Sequence, residues 1–96
     1  MASFGLTKRA EADLYDIALF GYERFGENQT QAYLAELERV FALLARHPRM
    51  GRMAETIAPG VRRHEHRSHI ILYEEAPVGV QILAVVHASS VRRLSL

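Results

Sequence analysis

Ninety-six residues, 49% of them hydrophobic, fit one globular domain over positions 1–96 with a single core, and exclude a disordered tail. The absence of cysteine removes disulfides, thiolate nucleophiles and cysteine-based zinc sites together. The net charge is only +1, but it is unevenly spread: five cations face seven acids up to Pro48, and seven arginines face four glutamates after it.

In chain order, Ser3-Phe4-Gly5-Leu6-Thr7 alternates like a short first strand. Thr7 is a suitable N-cap for a helix starting at Lys8. Ala10, Leu14, Ile17, Ala18, Gly21, Tyr22 and Phe25 give that helix one apolar stripe, and Gly26 ends it. A second helix follows at once, with Asn28 and Gln31 at capping-box spacing and Thr30 as a rival cap. Its stripe is Tyr33, Leu37, Val40, Phe41 and Leu44, and Pro48 stops it by disfavouring helical dihedrals at His47. So short a turn predicts an antiparallel helical hairpin.

From Val61 the period changes. Val61 to Arg67 and His69 to Tyr73 read as strands broken near Ser68, Glu74 to Gly79 as a turn, and Gly79 or Val80 to His87 as the last strand. Ile70-Ile71-Leu72 and Ile82 to Val86 are apolar without a break, which predicts central strands with the helices on one face and a second covering, such as a partner protein, on the other. The expected core is Phe4, Leu6, Leu14, Ile17, Phe25, Leu37, Phe41, Leu44, Ile71 and Ile82. No apolar run reaches membrane-spanning length, and Met1-Ala2-Ser3-Phe4 does not open a signal peptide, so a cytoplasmic chain without a membrane partner is expected.

Candidate chemistry is concentrated in the second half, where every cation is arginine, a planar group suited to carboxylate and phosphate. Arg52, Arg62 and Arg63 are candidate contacts for an acidic segment or a nucleic acid; solvated strand faces are the plain alternative. His64 and His66 share a strand face while Glu65 points away, an incomplete ligand set, so no metal and no cofactor is expected. His87 with Arg62 and Arg63 is a fragment of an acid–base site, and no second proton carrier is visible in the tail Ala88 to Leu96. Tyr15, Tyr22, Phe25, Tyr33 and Phe41 read as packing residues, not a base-stacking platform.

The order Leu6-Thr7, Asp13-Leu14 with Ile17, Gly26, Leu43 or Leu44 before Pro48, Gly51-Arg52, Gly60 with Arg62, His69 with Ile71 and Tyr73, and Ile82 through His87 resembles the ParE branch of the RelE/ParE toxin superfamily across nearly the whole chain. The resemblance implies an α+β fold of order β-α-α-β-β-β, an antiparallel helical hairpin on one face of a mainly antiparallel sheet, with the first strand beside the last. It implies a type II toxin, associated with growth arrest and plasmid stabilisation, that inhibits DNA gyrase by trapping cleaved DNA. It implies a ParD-like antitoxin whose C-terminal segment wraps the toxin, and DNA contact only through the gyrase complex. The toxin is then a binder with no catalytic residues. The superfamily's other arm, which cleaves mRNA on the ribosome, would use Arg62, Arg63 and His87, and a non-toxic antitoxin-binding relative is a third possibility. Ser89-Ser90-Val91 replaces the aspartate or arginine usual after the last-strand histidine.

Overall fold

The computed structural model describes the backbone of residues 2–93 and the side chains of residues 2–90. It contains β1 (Ser3–Leu6), α1 (Lys8–Phe25), α2 (Glu27–Arg46), β2 (Arg52–Met53), β3 (Arg62–His66), β4 (His69–Ala76), β5 (Gly79–His87) and a 3-10 segment over Ala88–Arg93. The sheet order is β1-β5-β4-β3-β2, with β1 parallel to β5 and every other pair antiparallel. This is the expected α+β architecture, with the two-residue β2 added at the edge.

The hairpin is set by two local devices. At the start of α1 the Thr7 hydroxyl accepts from the Ala10 amide (3.0 Å) and donates to the Leu83 carbonyl (2.9 Å), so the cap also ties the helix to β5. Between the helices Gly26 serves both as the end of α1 and as the cap of α2, at φ 83°. One left-handed residue makes the whole turn. Asn28 and Thr30 therefore lie inside α2 and not at its cap, contrary to the capping-box reading. The helices then approach closely where Gly21 faces Thr30: a Cβ on Gly21 would lie 2.6 Å from the Thr30 hydroxyl.

The sheet is buried on both faces. Under the helices Leu37, Phe41, Leu44, Ile71, Tyr73, Val80, Ile82 and Val85 form the main core, with Phe4, Leu6, Leu14 and Ile17 packed against it. Phe4 meets Phe41 edge-on at 5.4 Å. On the other face Val61, Ile70, Leu72, Ala84 and Val86 pack with Ala54, Ile57 and Ala58. The covering expected over the central strands is thus the chain's own Ala54–Val61 loop. The loop closes on itself through Ala54 N–H to Val61 O (2.8 Å) and Val61 N–H to Ala58 O (3.3 Å). Phe25 leaves the predicted core; it is 57% exposed, because the last turn of α1 runs past the end of the sheet.

β4 continues to Ala76, beyond the expected end at Tyr73, because Glu74 and Glu75 pair with Gln81 and Val80 on β5. That pairing is broken once. Leu72 lies opposite Ala84 while Tyr73 lies opposite Ile82, so Leu83 is an extra residue. This β-bulge moves everything beyond it along β5 by one position. Without it His69 would face Val86; with it His69 faces His87. The bulge is held where the Thr7 amide donates to Ile82 O (3.1 Å) and its hydroxyl to Leu83 O. Past the end of β1, Asp13 of α1 accepts the Val85 amide (2.9 Å) in place of a neighbouring strand.

Candidate functional site

The three arginines singled out from the sequence fall at the β2–β3 end of the sheet, where Arg52 pairs in register with Arg63 and Met53 with Arg62. Arg62 shares the helix-side face with Tyr73 and donates to Gly51 O (2.8 Å). Arg63 lies on the opposite face, with its Nη2 3.6 Å from Glu65 and its Nε buried without a partner. Arg52 also pairs with Glu65, and its side chain is 69% exposed. Of the three, Arg62 and Arg63 are partly built into the fold, and Arg52 is the one open to a partner.

His87 is not with them. Arg62 opposes Tyr73, which opposes Ile82, five residues from His87 along β5, or about 16 Å at strand rise. Arg63 is nearer but on the other face. The acid–base grouping of Arg62, Arg63 and His87 is therefore not assembled.

A different set surrounds His87. The two-residue turn Arg67-Ser68 puts His66 opposite His69, and the bulge puts His69 opposite His87. Three imidazoles thus stand side by side on adjacent strands, on the helix-side face. The first half of α2 lies over them. The Tyr33 hydroxyl is 2.6 Å from His69 Nδ1, and Glu36 Oε1 is 2.8 Å from both His66 Nε2 and Arg67 Nε. The His69 and His87 rings meet edge-on at 5.9 Å. His87 Nδ1 accepts the Ser89 amide (3.2 Å) and also contacts its hydroxyl (2.8 Å), which leaves its Nε2 as the proton-bearing nitrogen of the neutral ring.

Burial, reinforced by the neighbouring His87 and His66, holds His69 below the ordinary histidine value. Burial, with Glu36 beside it, raises the Tyr33 phenol. The hydrogen bond from Arg67, helped by His66, lowers Glu36. At neutral pH the natural arrangement is a neutral His69 accepting from the Tyr33 hydroxyl. Among the described residues no three histidine or carboxylate side chains are placed to hold a metal ion.

The row closes one end of an open groove of about 760 Å³ between α1, α2 and the ends of β4 and β5. Its apolar lining includes Ile17, Phe20, Phe25, Tyr33, Val85 and Val86. Phe20 is 55% exposed, and the buried Thr30 hydroxyl at the helix crossing has no partner. Among the described residues the arginines lining the groove, Arg9 and Arg67, are already matched: Arg9 lies 3.4 Å from Asp13, and Arg67 holds Glu36. The groove can therefore exchange protons and bury apolar groups, but neither arginine stands clear of a carboxylate to stabilise an anionic transition state. The sequence signal for this site was the spacing His66-x-x-His69, two histidines across a two-residue turn.

The family described as the ParE toxin of type II toxin–antitoxin systems, parDE, matches residues 5–92. The chain belongs to this family. It is 36% identical over 96 residues to Toxin ParE1 of Caulobacter vibrioides, covering 100% of this chain and 99% of that one. It is 34% identical over 83 residues to Toxin ParE1 of Mycobacterium tuberculosis, covering 85% of each chain. Among solved structures, one described as a chromosomal ParDE TA system from P. aeruginosa superposes with a TM-score of 0.75 at 23% identity, covering 91% of this chain and 96% of that one. That likeness confirms the ParE fold. No helix among the described residues is long and apolar enough to cross a membrane. Ser89-Ser90-Val91 falls partly on described residues, where Ser89 fixes the His87 ring; the Val91 side chain and Leu94 to Leu96 lie outside them.

Proposed function

We propose that this ParE-family toxin inhibits DNA gyrase by binding, stabilising the cleaved DNA–gyrase complex, and that a ParD-like antitoxin neutralises it. The observation that carries this reading is the family match along residues 5–92. A binder needs only a differential affinity: a coupling of about 1–3 kcal/mol raises the population of a transient state about five- to 150-fold without any turnover. Among the described residues no unmatched arginine lines the groove beside the proton carriers near His87, which favours binding over catalysis.

The antitoxin's C-terminal segment would lay apolar side chains into the groove, against Phe20 and Phe25, while an acidic residue reaches Arg52. Disordered segments that fold on a partner can cover separated features of this kind. Arg62 and Arg63 would take part mainly by holding the Gly51–Arg52 edge in place.

Induction in cells tests the reading. The expected result is that the chain alone stops growth while messages stay intact, and that co-expressed antitoxin restores growth. Arg52→Glu should weaken antitoxin binding at least about fivefold, the equivalent of one exposed ion pair of about 1 kcal/mol, and so require more antitoxin for rescue. Codon-positioned message cleavage that disappears in His87→Ala would replace this reading with the ribonuclease one.

A further inference from the structure

We propose that the His66–His69–His87 row is a proton-operated latch that holds the first half of α2 against the sheet at neutral pH and releases it in mild acid. This goes beyond the toxin assignment and does not depend on which partner fills the groove.

The latch is made of few parts. From α2 only Tyr33 and Glu36 reach the row, Tyr33 onto His69 and Glu36 onto His66 and Arg67. α1 faces the same groove with Arg9, Asp13 and Asp16, of which Arg9 and Asp13 are paired with each other. β3 adds His64, two residues from His66 on the same face and held below the ordinary histidine value by burial and by His66; β5 contributes His87, and the 3-10 segment contributes Ser89 and Ser90.

With neutral imidazoles, Arg67 and Glu36 cancel each other beside the row. Protonation of the three rings adds three positive charges in adjacent register positions. One carboxylate, already held by Arg67, answers them, and among the described residues Asp16 is the other acid lining the groove besides the Arg9-paired Asp13. Glu36, 2.8 Å from His66, lies at the β3 end of the row. His69, in the middle, has an imidazole on either side and the Tyr33 ring over it, so a charge there is the crowded one. The hydroxyl of Tyr33 can turn to accept from a charged His69, so the bond is not simply lost. The cost is the crowded, half-buried charge, and lifting α2 away admits water and relieves it.

The sign follows from the position of His69. Its folded-state pKa lies below the ordinary 6.5, so the closed form binds fewer protons than the open one. Closure is complete above that ordinary value and weakens progressively as pH falls through and below it. One extra proton taken up on opening raises the opening constant up to about tenfold per pH unit over the titrating range.

The experiment is hydrogen exchange of the α2 amides Thr30 to Glu36 at pH 7.5 and 5.5, each corrected for intrinsic exchange. Asp13-anchored Val85 serves as an internal reference. The wild-type chain should lose protection in α2 several-fold more than at Val85. His69→Gln, neutral at every pH and still able to accept from Tyr33, should remove most of that difference. If His69→Gln does not fold, His87→Asn, which deletes one flanking charge, should move the loss of protection to lower pH. Equal loss at α2 and Val85, or an unchanged response in the variant that folds, would overturn the latch.

Discussion

Gly79→Ala is expected to be the most damaging single-methyl change in the chain. Gly79 opens β5 at φ 151°, paired in register with Ser3 of the parallel strand β1. A Cβ there would overlap the Ser3 carbonyl oxygen, a backbone atom that cannot turn aside. Relief requires β1 to separate from β5, and β1 carries Phe4 and Leu6 into the main core. Backbone strain of about 1–3 kcal/mol and overpacking of about 1–3 kcal/mol together come to roughly 2–6 kcal/mol, a large share of the stability of a small domain. Gly60→Ala is the control. Its φ of 78° is also left-handed, but no heavy atom lies within 4 Å of the added Cβ. It should cost only the backbone strain. Denaturant melts of the two variants should separate clearly, and equal midpoints would mean that β1 is not packed as described.

Tyr73→Phe should destabilise about half as much while barely changing shape. Tyr73 is fully buried, and its hydroxyl ties down the Pro48–Arg52 edge: it donates to Pro48 O (2.8 Å) and accepts the Gly51 amide (2.8 Å). Burial raises its pKa while the Gly51 amide pulls it the other way, so it stays a neutral phenol at physiological pH. Removing the oxygen strands the buried Gly51 N–H, which costs about 1–3 kcal/mol, and leaves Pro48 O to find water. For a domain of this size each kcal/mol is about 4–8 °C, so the melting temperature should fall by roughly 4–24 °C. Gly51 also accepts from Arg62 through its carbonyl, so the Arg52 edge should loosen in the same variant. A melting temperature unchanged from wild type would show that water already serves the Gly51 amide.

How far the residues announced this structure depends on whether the signal was local. Thr7 as a cap, Gly26 as the end of α1 and the apolar stripe of α2 rest on contacts within a few positions and are legible, while Gly26 as the cap of α2 is not, because Asn28 and Gln31 mimic a capping box. β2 was not, since two residues carry no period, and the Ala54–Val61 loop could not be told from an open linker by composition. The site was least legible because it depends on register. His66 facing His69 follows from a two-residue turn, but His69 facing His87 follows from the bulge at Leu83, which the even apolar run Ile82 to Val86 conceals. The resemblance to the superfamily's ribonuclease arm suggested grouping Arg62, Arg63 and His87, while strand register sets Arg62 five residues from His87 along β5 and puts Arg63 on the other face. Phe25 was misassigned for a related reason: helical spacing tells which face it lies on, not that the sheet stops short of it.

The central claim is that the chain acts on gyrase by binding alone, and plasmid cleavage tests it most directly. Gyrase, supercoiled plasmid and ATP are incubated with the folded chain, with and without antitoxin, and then denatured with detergent and protease. Linear plasmid that rises with the chain, requires gyrase and disappears when antitoxin is added first is the predicted result. Normal supercoiling with no linear DNA at saturating chain would contradict it.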